Sequence, residues 1–418
     1  VAICTNTSTD DPEPQICADG AGGAIITWTD NRTGTGDYDI YAQRVNSTGD
    51  PQWTDQGEPV CTYKTHKDSP EIIGDGSHGA VIAWEDSRNI NQDIYAQRIN
   101  SNGITQWTSP SAGGKPVCTF TEYQYHIRMC TDGVGGAIIT WNDARYGSNN
   151  ETVFAQRIDV DGNLRFSAEN EKICIISNNM DEVNVHIISG DNGGAIIAWE
   201  DNRTSGIDDY LDIYAQKINS TGDAQWDDQG KPVCTADFDQ WTSSMVSDGS
   251  GGAIIAWGDD RHVSREDAYI QKINSFGDAQ WTPNGLAIST KTDDQYHPEV
   301  CSDGAGGAYV AFTDKSGLDE DVYAQHVNSQ GIPQWTIDGV IICNENDYQY
   351  DPEIISDEVG GAIIVWWDYR DGNADIYAQR VEKIAVFLPS DGNGGGDDNV
   401  KSEVFDPTMI VVIGLIVV

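Results

Sequence analysis

Aromatic and acidic side chains recur together in short polar segments, and these segments differ from one another more than the sequence around them does. Aromatic faces cover the C–H surfaces of sugars, and carboxylates accept hydrogen bonds from hydroxyl groups. The combination therefore predicts a binding site for a polyhydroxylated ligand. The candidate ligand-binding residues in these segments are Tyr123, Tyr125, His126, Trp241, Tyr296, His297, Tyr348 and Tyr350.

Carboxylates in the variable loops also suit a hard cation. Ca²⁺ prefers oxygen ligands and tolerates irregular coordination, so it is the one cofactor that the sequence suggests. Asp208 and Asp209, in the longest of the variable insertions, are the candidate metal ligands. The alternative is an acidic rim that is only solvated, with aromatic side chains packed on neighbouring loops.

No catalytic motif accompanies these residues. The chain has no G-x-S-x-G, no H-E-x-x-H, no phosphate-binding loop and no dinucleotide fingerprint beside a helix. A glycoside hydrolase needs two carboxylates across the sugar, and the sequence does not show which of its many Asp residues would form such a pair. A non-enzymatic role is therefore favoured, and an enzymatic one stays as an alternative.

The charge balance limits the possible partners. Acidic residues outnumber basic ones 67 to 24, which gives a formal net charge of −43. Such a chain repels the phosphates of nucleic acids and of anionic lipids, so neither is an expected partner. A disordered acidic tail is excluded as well, because the chain contains 13 Trp and 17 Tyr. A glycan or a surface protein is the expected partner.

An internal repeat determines the fold class. A motif of the form Gly-Gly-Ala-Ile-Ile-x-Trp-x-Asp occurs in seven copies at intervals of 54 to 58 residues. Each copy lies in a unit of four β-type runs, in which this motif is the second run and a Pro-Val-Cys sequence the fourth. The second glycine of the seven copies is Gly23, Gly79, Gly136, Gly194, Gly252, Gly307 and Gly361.

Seven units of four strands predict an all-β, seven-bladed β-propeller of four-stranded antiparallel blades over residues 1–385. The seventh unit has no fourth run, whereas residues 1–5 are an isolated copy of that run. The N-terminal strand is therefore predicted to complete the seventh blade and to close the ring.

Repetition separates scaffold residues from site residues. A residue that recurs at one position of every unit serves every blade, whereas a ligand is asymmetric. The repeated Trp, the repeated Asp-x-Arg and the repeated Cys are accordingly interpreted as structural contacts. The site is expected in the variable connections from strand four to strand one of the next blade (the strand 4–1 loops), which share one face with the strand 2–3 loops.

The C-terminal part differs in composition from the repeats. Residues 386–407 are rich in Gly and Asp and are predicted to be a flexible spacer. The apolar residues 408–418 are too few to cross a bilayer and are interpreted as the start of a truncated C-terminal transmembrane anchor. The expected location is the extracellular face of the cell membrane, with membrane contact through this segment only, or secretion.

The repeat resembles a tandem repeat of β-propeller proteins from bacterial and archaeal cell surfaces, most of which have no assigned activity. The resemblance rests on Ser-Asp-Gly-x-Gly-Gly-Ala-Ile-Ile-Ala-Trp-x-Asp-x-Arg and Asp-Ile-Tyr-Ala-Gln-Arg-Ile-Asn-Ser-x-Gly, and it covers residues 1–385. A weaker similarity links residues 46–53 to the Asp-box of sialidase-type propellers. The resemblance implies a propeller at the cell surface, and it supplies no catalytic residue.

These observations favour an extracellular, membrane-anchored recognition or adhesion propeller that binds a glycan or a protein through its strand 4–1 loops. One alternative is a structural subunit of a surface layer or filament, for which an acidic shell supplies solubility and cation-bridged contacts. The other alternative is a carbohydrate-active hydrolase or lyase that uses residues of the same loops.

Overall fold

The computed structural model describes residues 2–5, 13–32, 34, 36–147, 152–167, 184–203, 210–262, 265–315, 317 and 319–382. These residues form seven antiparallel sheets of consecutive strands, which confirms the predicted seven-bladed β-propeller. Five sheets have four described strands, and the third and seventh have three. The predicted spacer at 386–407 and anchor at 408–418 lie outside the described residues. Within the described ranges, no helix is long and apolar enough to cross a membrane.

The strands are numbered along the chain, and each blade is one sheet. Blade 1 contains β1 (Gln15–Ala18), β2 (Ala24–Asp30), β3 (Asp39–Val45) and β4 (Glu58–Cys61). Blade 2 contains β5 (Lys67–Gly74), β6 (Ala80–Asn89), β7 (Asn91–Ile99) and β8 (Lys115–Cys118). Blade 3 contains β9 (Gln124–Thr131), β10 (Ala137–Asp143) and β11 (Thr152–Ile158). Blade 4 contains β12 (Val185–Ser189), β13 (Ala195–Asp201), β14 (Asp212–Ile218) and β15 (Lys231–Cys234).

The remaining blades continue the same order. Blade 5 contains β16 (Gln240–Ser247), β17 (Ala253–Asp259), β18 (Asp267–Ile273) and β19 (Leu286–Ala287). Blade 6 contains β20 (Gln295–Ser302), β21 (Ala308–Asp314), β22 (Asp321–Val327) and β23 (Val340–Cys343). Blade 7 contains β24 (Gln349–Ser356), β25 (Gly361–Asp368) and β26 (Asp375–Glu382). Single turns of 3-10 helix lie at Pro110–Ala112 and Asp191–Gly193.

The second strand of a blade is apolar on both faces because each face packs on a different neighbouring blade. β13 is buried at every position. Ile197 and Trp199 pack with residues of blade 3, whereas Ile196 and Ala198 pack with residues of blade 5. The continuous Ala-Ile-Ile-x-Trp run of the sequence is therefore the signature of a strand between two blades.

The first strand of each blade lies nearest to the propeller axis. First strands contact one another from blade to blade, as β5 does with β1 and β9, and β20 with β16 and β24. The fourth strands lie at the outer edge of their sheets. Side chains of the first strands that point away from the sheets' apolar interfaces are therefore placed to line the axial channel.

The repeated Trp, Asp and Arg form one hydrogen-bonded unit in six blades, as the scaffold interpretation predicts. In blade 5, Trp257 Nε1 donates to Asp259 Oδ2 at 2.8 Å, and Arg261 Nε donates to Asp259 Oδ1 at 2.7 Å. The sixth blade has Ser316 at the arginine position. There Lys291, from the preceding loop, supplies the cation, with Nζ 3.1 Å from Asp314 Oδ1.

The N-terminal residues contact blade 1, whereas among the described residues nothing pairs them with β26, so their completion of blade 7 stays a prediction. Cys118 ends the fourth strand of blade 2, and its Sγ lies 3.8 Å from Asp143 Oδ2 of blade 3. Cys4 Sγ lies 3.8 Å from Asp30 Oδ2 of blade 1, so it has the same relation to the blade that follows it. Residues 2–5 therefore occupy the place of a preceding fourth strand on blade 1, although they are not assigned to a strand.

Blades 7 and 1 cover each other's side chains less than the other pairs of neighbouring blades do. Ile16 in β1 is 66% exposed, whereas Ile72 at the corresponding register of β5 is 6% exposed. Ile355 in β24 is 63% exposed, whereas Cys130 at the corresponding register of β9 is 6% exposed. Packing of blade on blade therefore contributes less at this junction than at the other six.

Two glycines with the same backbone conformation give a matched test of how tightly the repeated tryptophan is packed. Gly114 and Gly133 both have φ of +76°, but a Cβ at Gly114 would lie 2.5 Å from Trp84, whereas a Cβ at Gly133 would meet nothing within 4 Å. We expect Gly133→Ala to lower the free energy of unfolding by about 1 kcal/mol, through backbone strain alone. Gly114→Ala should lower it by about 2 to 3 kcal/mol, because the indole must also move. Urea unfolding of both variants measures the difference, and equal losses would contradict the packing.

Candidate functional site

In each blade, one position of the first strand faces the propeller axis. The residue type at this position varies among the blades. Its neighbours on the second strands are small or aliphatic residues such as Ala83, Thr140 and Ala311. We call this set the axial ring. From blade 1 to blade 7 it consists of Gln15, Glu71, Arg128, His186, Ser244, Glu299 and Glu353.

A cavity of about 780 Å³ opens at the axial ring, on the side where the first strands begin. Its walls come from blades 3 to 7 and combine indole rings, carboxylates, imidazoles and a guanidinium. The volume is in the range that holds a small ligand. The lining residues that matter for the chemistry are Arg128, His186, Trp241, Glu266, His297, Glu299, Asp351, Glu353 and Trp367.

Three carboxyl groups of this cavity hold their protons more tightly than free carboxyl groups do. Burial raises the pKa of Glu299 to about 8, although Ser244 donates a hydrogen bond to it, and the Glu353 carboxylate adds to the increase. Burial also raises the pKa of Glu353, and Asp351 contributes. Burial raises the pKa of Glu266 to about 7, with further contributions from nearby Asp residues. At neutral pH, Glu299 is therefore a hydrogen-bond donor as well as an acceptor.

The two basic side chains of the axial ring, Arg128 and His186, each have a defined protonation state or ion-pair partner. Arg128 Nη1 lies 3.0 Å from Glu71 Oε1, so its charge is already paired. Burial lowers the pKa of His186 to about 4, and Arg128 adds to the decrease, so the imidazole is neutral at pH 7. His186 Nε2 lies 3.3 Å from the Thr242 carbonyl. Because that carbonyl only accepts, Nε2 carries the proton and Nδ1 is left as an acceptor.

A β-bulge shapes the rim of the cavity. In β9 two residues stand opposite the single residue Trp141, so the strand has one extra residue and the register shifts between Thr140 and Asn142. The bulge residue lies two positions before the axial ring, and in five blades its φ is between +39° and +53°, a conformation that residues other than glycine rarely adopt. Backbone strain of this kind concentrates at ligand sites. The five residues are Glu13, Ser69, His126, His297 and Asp351.

The structure divides the predicted ligand-binding residues into two groups. Trp241 and His297 line the cavity, and His297 Nδ1 lies 2.5 Å from Asp351 Oδ1 of the next blade. The other six predicted residues lie outside the lining, on the rim and in the strand 4–1 loops. They are Tyr123, Tyr125, His126, Tyr296, Tyr348 and Tyr350.

The rim tyrosines contact the loops of their own blades. Tyr296 Oη donates to Glu320 Oε1 at 2.6 Å, and Tyr350 Oη lies 3.3 Å from Tyr369 Oη. The backbone of Tyr369 donates to the carbonyl of Tyr348 at 3.0 Å. The strand 4–1 and strand 2–3 loops therefore meet on one face, as the sequence predicts.

The predicted Ca²⁺ ligands, Asp208 and Asp209, lie outside the described residues. In the part of the chain that the structure describes, no three His, Cys, Asp or Glu side chains converge as a metal cluster would require. The eight described cysteines are free thiols.

Four residues of the cavity are not among the predicted site residues, because they lie inside β-type runs and not in loops: Arg128, His186, Glu299 and Glu353. One signal would have found them. In the first run, the two residues after this position stay apolar from unit to unit, whereas this single position changes from Gln to Glu, Arg, His and Ser. Asymmetry within a repeated strand indicates a site as clearly as asymmetry within a loop.

No protein-family model matches the chain. No curated protein matches it either. Among solved structures, it is similar to an ulvan lyase of polysaccharide lyase family PL25, bound to -[GlcA(1-4)Rha3S]-, at 10% identity and a TM-score of 0.51, over 91% of this chain and 96% of that one. It is also similar to the propeller domain of the Trilobed protease from Pyrococcus furiosus, at 9% identity and a TM-score of 0.44, over 90% and 98%.

A third similar structure is a Hadza microbial sialidase, at 11% identity and a TM-score of 0.37, over 73% of this chain and 63% of that one. The similarity to the ulvan lyase, whose TM-score is 0.51, agrees with the propeller fold described above. At such identities the similarity concerns the fold alone.

Proposed function

We propose that the protein is a recognition propeller that binds a neutral glycan in the axial cavity. The observation that carries this proposal is that Trp241 lines the same cavity as polar residues of the axial ring, which vary in type among the blades. An indole covers the apolar face of a sugar ring, while carboxyl, imidazole and guanidinium groups bind its hydroxyls in defined directions.

The charges of the site favour a neutral ligand over an acidic one. Glu353 and Asp351 line the cavity, and the whole chain carries a formal charge of −43. Arg128 is the one guanidinium in the described lining, and it is paired with Glu71. A uronic acid or a sulfated sugar would therefore bring its charge into a negative field without a free cation to meet it.

The proposal places the site deeper than the strand 4–1 loops, which would form its rim. It keeps the predicted setting at the extracellular face of the cell membrane, or secretion, with a spacer at 386–407 and an anchor at 408–418, and this part is supported by the sequence alone. A protein that presents such a glycan is the partner this setting implies. A surface-layer or filament subunit stays the alternative if no glycan binds.

A carbohydrate-active hydrolase or lyase is the second candidate, and one observation favours it. Glu299 and Glu353 lie on neighbouring blades in the same cavity, and burial raises the pKa of both. A carboxyl group that is protonated at neutral pH can act as a general acid, and a second carboxyl group beside it can act as the base or nucleophile. His186, neutral at pH 7, would be an additional base.

A glycan-array screen of the full chain tests the proposal. We expect selective binding of neutral oligosaccharides and no binding of uronate-rich or sulfated ones. Parallel arrays in Ca²⁺ and in EDTA show whether a divalent cation takes part in binding. Incubation of each bound glycan with the protein, followed by a reducing-end assay, separates recognition from turnover. A blank array in both conditions, or binding of acidic glycans alone, would contradict the neutral-glycan site.

A further inference from the structure

The residue that begins the first strand is buried in five blades and lies at the interface with the preceding blade. Lys67, Gln124, Gln240, Gln295 and Gln349 occupy this position, and all five are fully buried. Each is paired in the sheet with the last aspartate of the second strand, as Lys67 is with Asp86 and Gln124 with Asp143. Lysine in blade 2 therefore replaces the glutamine of the other four.

Lys67 places one positive charge in a fully enclosed cage between blades 1 and 2. Its Nζ donates to the carbonyls of Tyr38 at 3.0 Å, Thr65 at 2.8 Å and Tyr63. It also lies 3.4 Å from Oδ1 of Asp39, the residue that begins β3 of blade 1. Without this ammonium, a buried carboxylate and several carbonyl oxygens would face one another, which is costly.

The next interface, between blades 2 and 3, has the carboxylate but not the ammonium. Asp93 corresponds to Asp39, because each is paired with the last aspartate of the neighbouring second strand. Gln124 corresponds to Lys67, and its amide nitrogen donates to the Glu122 carbonyl. Asp93 is fully buried, like Gln124, and its Oδ2 accepts a hydrogen bond from Asn89 at 2.6 Å.

Two oxygen atoms at this interface have no donor in the described part of the chain. They are Oδ1 of Asp93 and Oε1 of Gln124, and both are buried. The strands that carry them, β7 and β9, pack against each other. The Gln124 amide cannot simply be turned over, because its nitrogen is needed at the Glu122 carbonyl. Buried acceptors of this kind are normally satisfied by a donor or a cation.

We propose that a monovalent cation of potassium type binds between Asp93 and Gln124, and that the Lys67 ammonium replaces this cation between blades 1 and 2. The charge of the ion follows from the comparison. One carboxylate is balanced by one ammonium at Asp39, so a single positive charge balances Asp93, whereas a divalent ion would leave a buried excess charge. A carboxylate oxygen and an amide oxygen are suitable hard ligands.

The interface between blades 5 and 6 shows why the site is not simply repeated. Oδ1 of Asp267 and Oε1 of Gln295 are also buried without a donor among the described residues. There, however, Arg265 Nε lies 3.1 Å from Asp267 Oδ2 and supplies the balancing charge. Oε1 of Gln240 and of Gln349 also lacks a donor among the described residues, but blades 4 and 6 carry no buried aspartate oxygen without a donor at the position of Asp93. Among the described residues, an orphaned aspartate oxygen without a basic partner is therefore found at this position in blade 2, at Asp93.

Thermal unfolding of the full chain at pH 7.5 tests this site. The midpoint is measured in about 150 mM KCl and in choline chloride of equal ionic strength, because choline is too large for a buried cage. We expect the wild type to unfold about 3 °C higher in KCl. Gln124→Lys should abolish the response to potassium, and Lys67→Gln, its matched counterpart, should enlarge it by creating a second site.

A direct measurement of ion binding to the wild type tests the proposal even if a variant does not fold. Equilibrium dialysis with radioactive rubidium should show bound ion on the wild type and one equivalent less on Gln124→Lys. Equal midpoints in KCl and choline chloride, with no rubidium bound, would overturn the proposal. So would stabilisation by Ca²⁺ alone. A midpoint that rises at lower pH and ignores potassium would show instead that a protonated Asp93 donates to Gln124.

Discussion

Replacement of Asp259 by alanine should lower the free energy of unfolding by about 3 to 5 kcal/mol, the largest stability loss we expect from a single polar side chain of this protein. Asp259 is fully buried, and its two oxygens accept hydrogen bonds from Trp257 Nε1, from Arg261 Nε and from the Arg261 backbone. Removal of the carboxylate leaves the guanidinium of Arg261 largely buried without its counter-ion. The indole N–H loses its acceptor at the same time.

The arginine also connects this unit to the parts around it. Arg261 Nη2 donates to the Asn284 carbonyl at 2.7 Å and lies 3.3 Å from Cys234 Sγ of the preceding blade. Its guanidinium carbon lies 3.9 Å from the centroid of the Tyr269 ring. Because four elements meet at one guanidinium, loss of its partner should affect both blade 5 and the interface with blade 4.

Asp260, the next residue, is the matched control. Burial raises the pKa of Asp260, and the carboxylates of Asp239, Asp259 and Asp294 raise it further. Asp260→Asn removes this repulsion, so it should leave the free energy of unfolding unchanged or increase it slightly. Urea unfolding of both variants provides the comparison. A loss at Asp259→Ala no larger than that at Asp260→Asn would refute the structural role.

Replacement of Trp241 by alanine should weaken glycan binding about 10- to 100-fold while the protein stays folded. Trp241 lies on β16 opposite Gly258, so its indole stands beside the space that Glu266 fills. Both Trp241 and Glu266 line the cavity. Loss of the indole removes the largest apolar surface that a sugar ring would meet on this wall.

Tyr123→Ala is the control for a general effect of losing an aromatic side chain. Tyr123 is 49% exposed and lies outside the lining of the cavity. Its removal should change the dissociation constant by less than about twofold. Isothermal titration with the strongest glycan of the array measures both variants. Equal weakening by the two substitutions would move the site to the loops, and unchanged binding by Trp241→Ala would exclude the cavity wall.

The repeat predicts the scaffold because the same packing problem is solved in each blade with the same residues. Blade 6 shows the limit of that argument. An alignment of the units records a lost arginine at Ser316, whereas the cation is in fact supplied by Lys291 from a different loop. When a residue of a different element replaces the lost side chain, a position-by-position comparison of the units does not show the replacement.

The candidate site was only partly predictable, for a geometric reason. The bulge in the first strand adds residues against the second strand, so simple alternation does not show that Arg128 and Glu299 turn toward the axis. The sequence therefore predicts the site in the loops, and two of the residues assigned to those loops, Trp241 and His297, line the cavity from the N-terminal ends of β16 and β20. Glu299, whose pKa burial raises to about 8, lies two positions beyond His297 on the same strand.

The buried cysteines allow the opening of the interfaces between blades to be measured by thiol alkylation. Cys61, Cys234 and Cys343 pack against blades 2, 5 and 7, and burial raises their thiol pKa values to about 11, 12 and 11. A thiol with a pKa of 11 is ionised in about one molecule in a thousand at pH 8. Alkylation of the native protein must then wait for local opening. The rate at each thiol reports how often one particular pair of blades separates, without any label having been introduced.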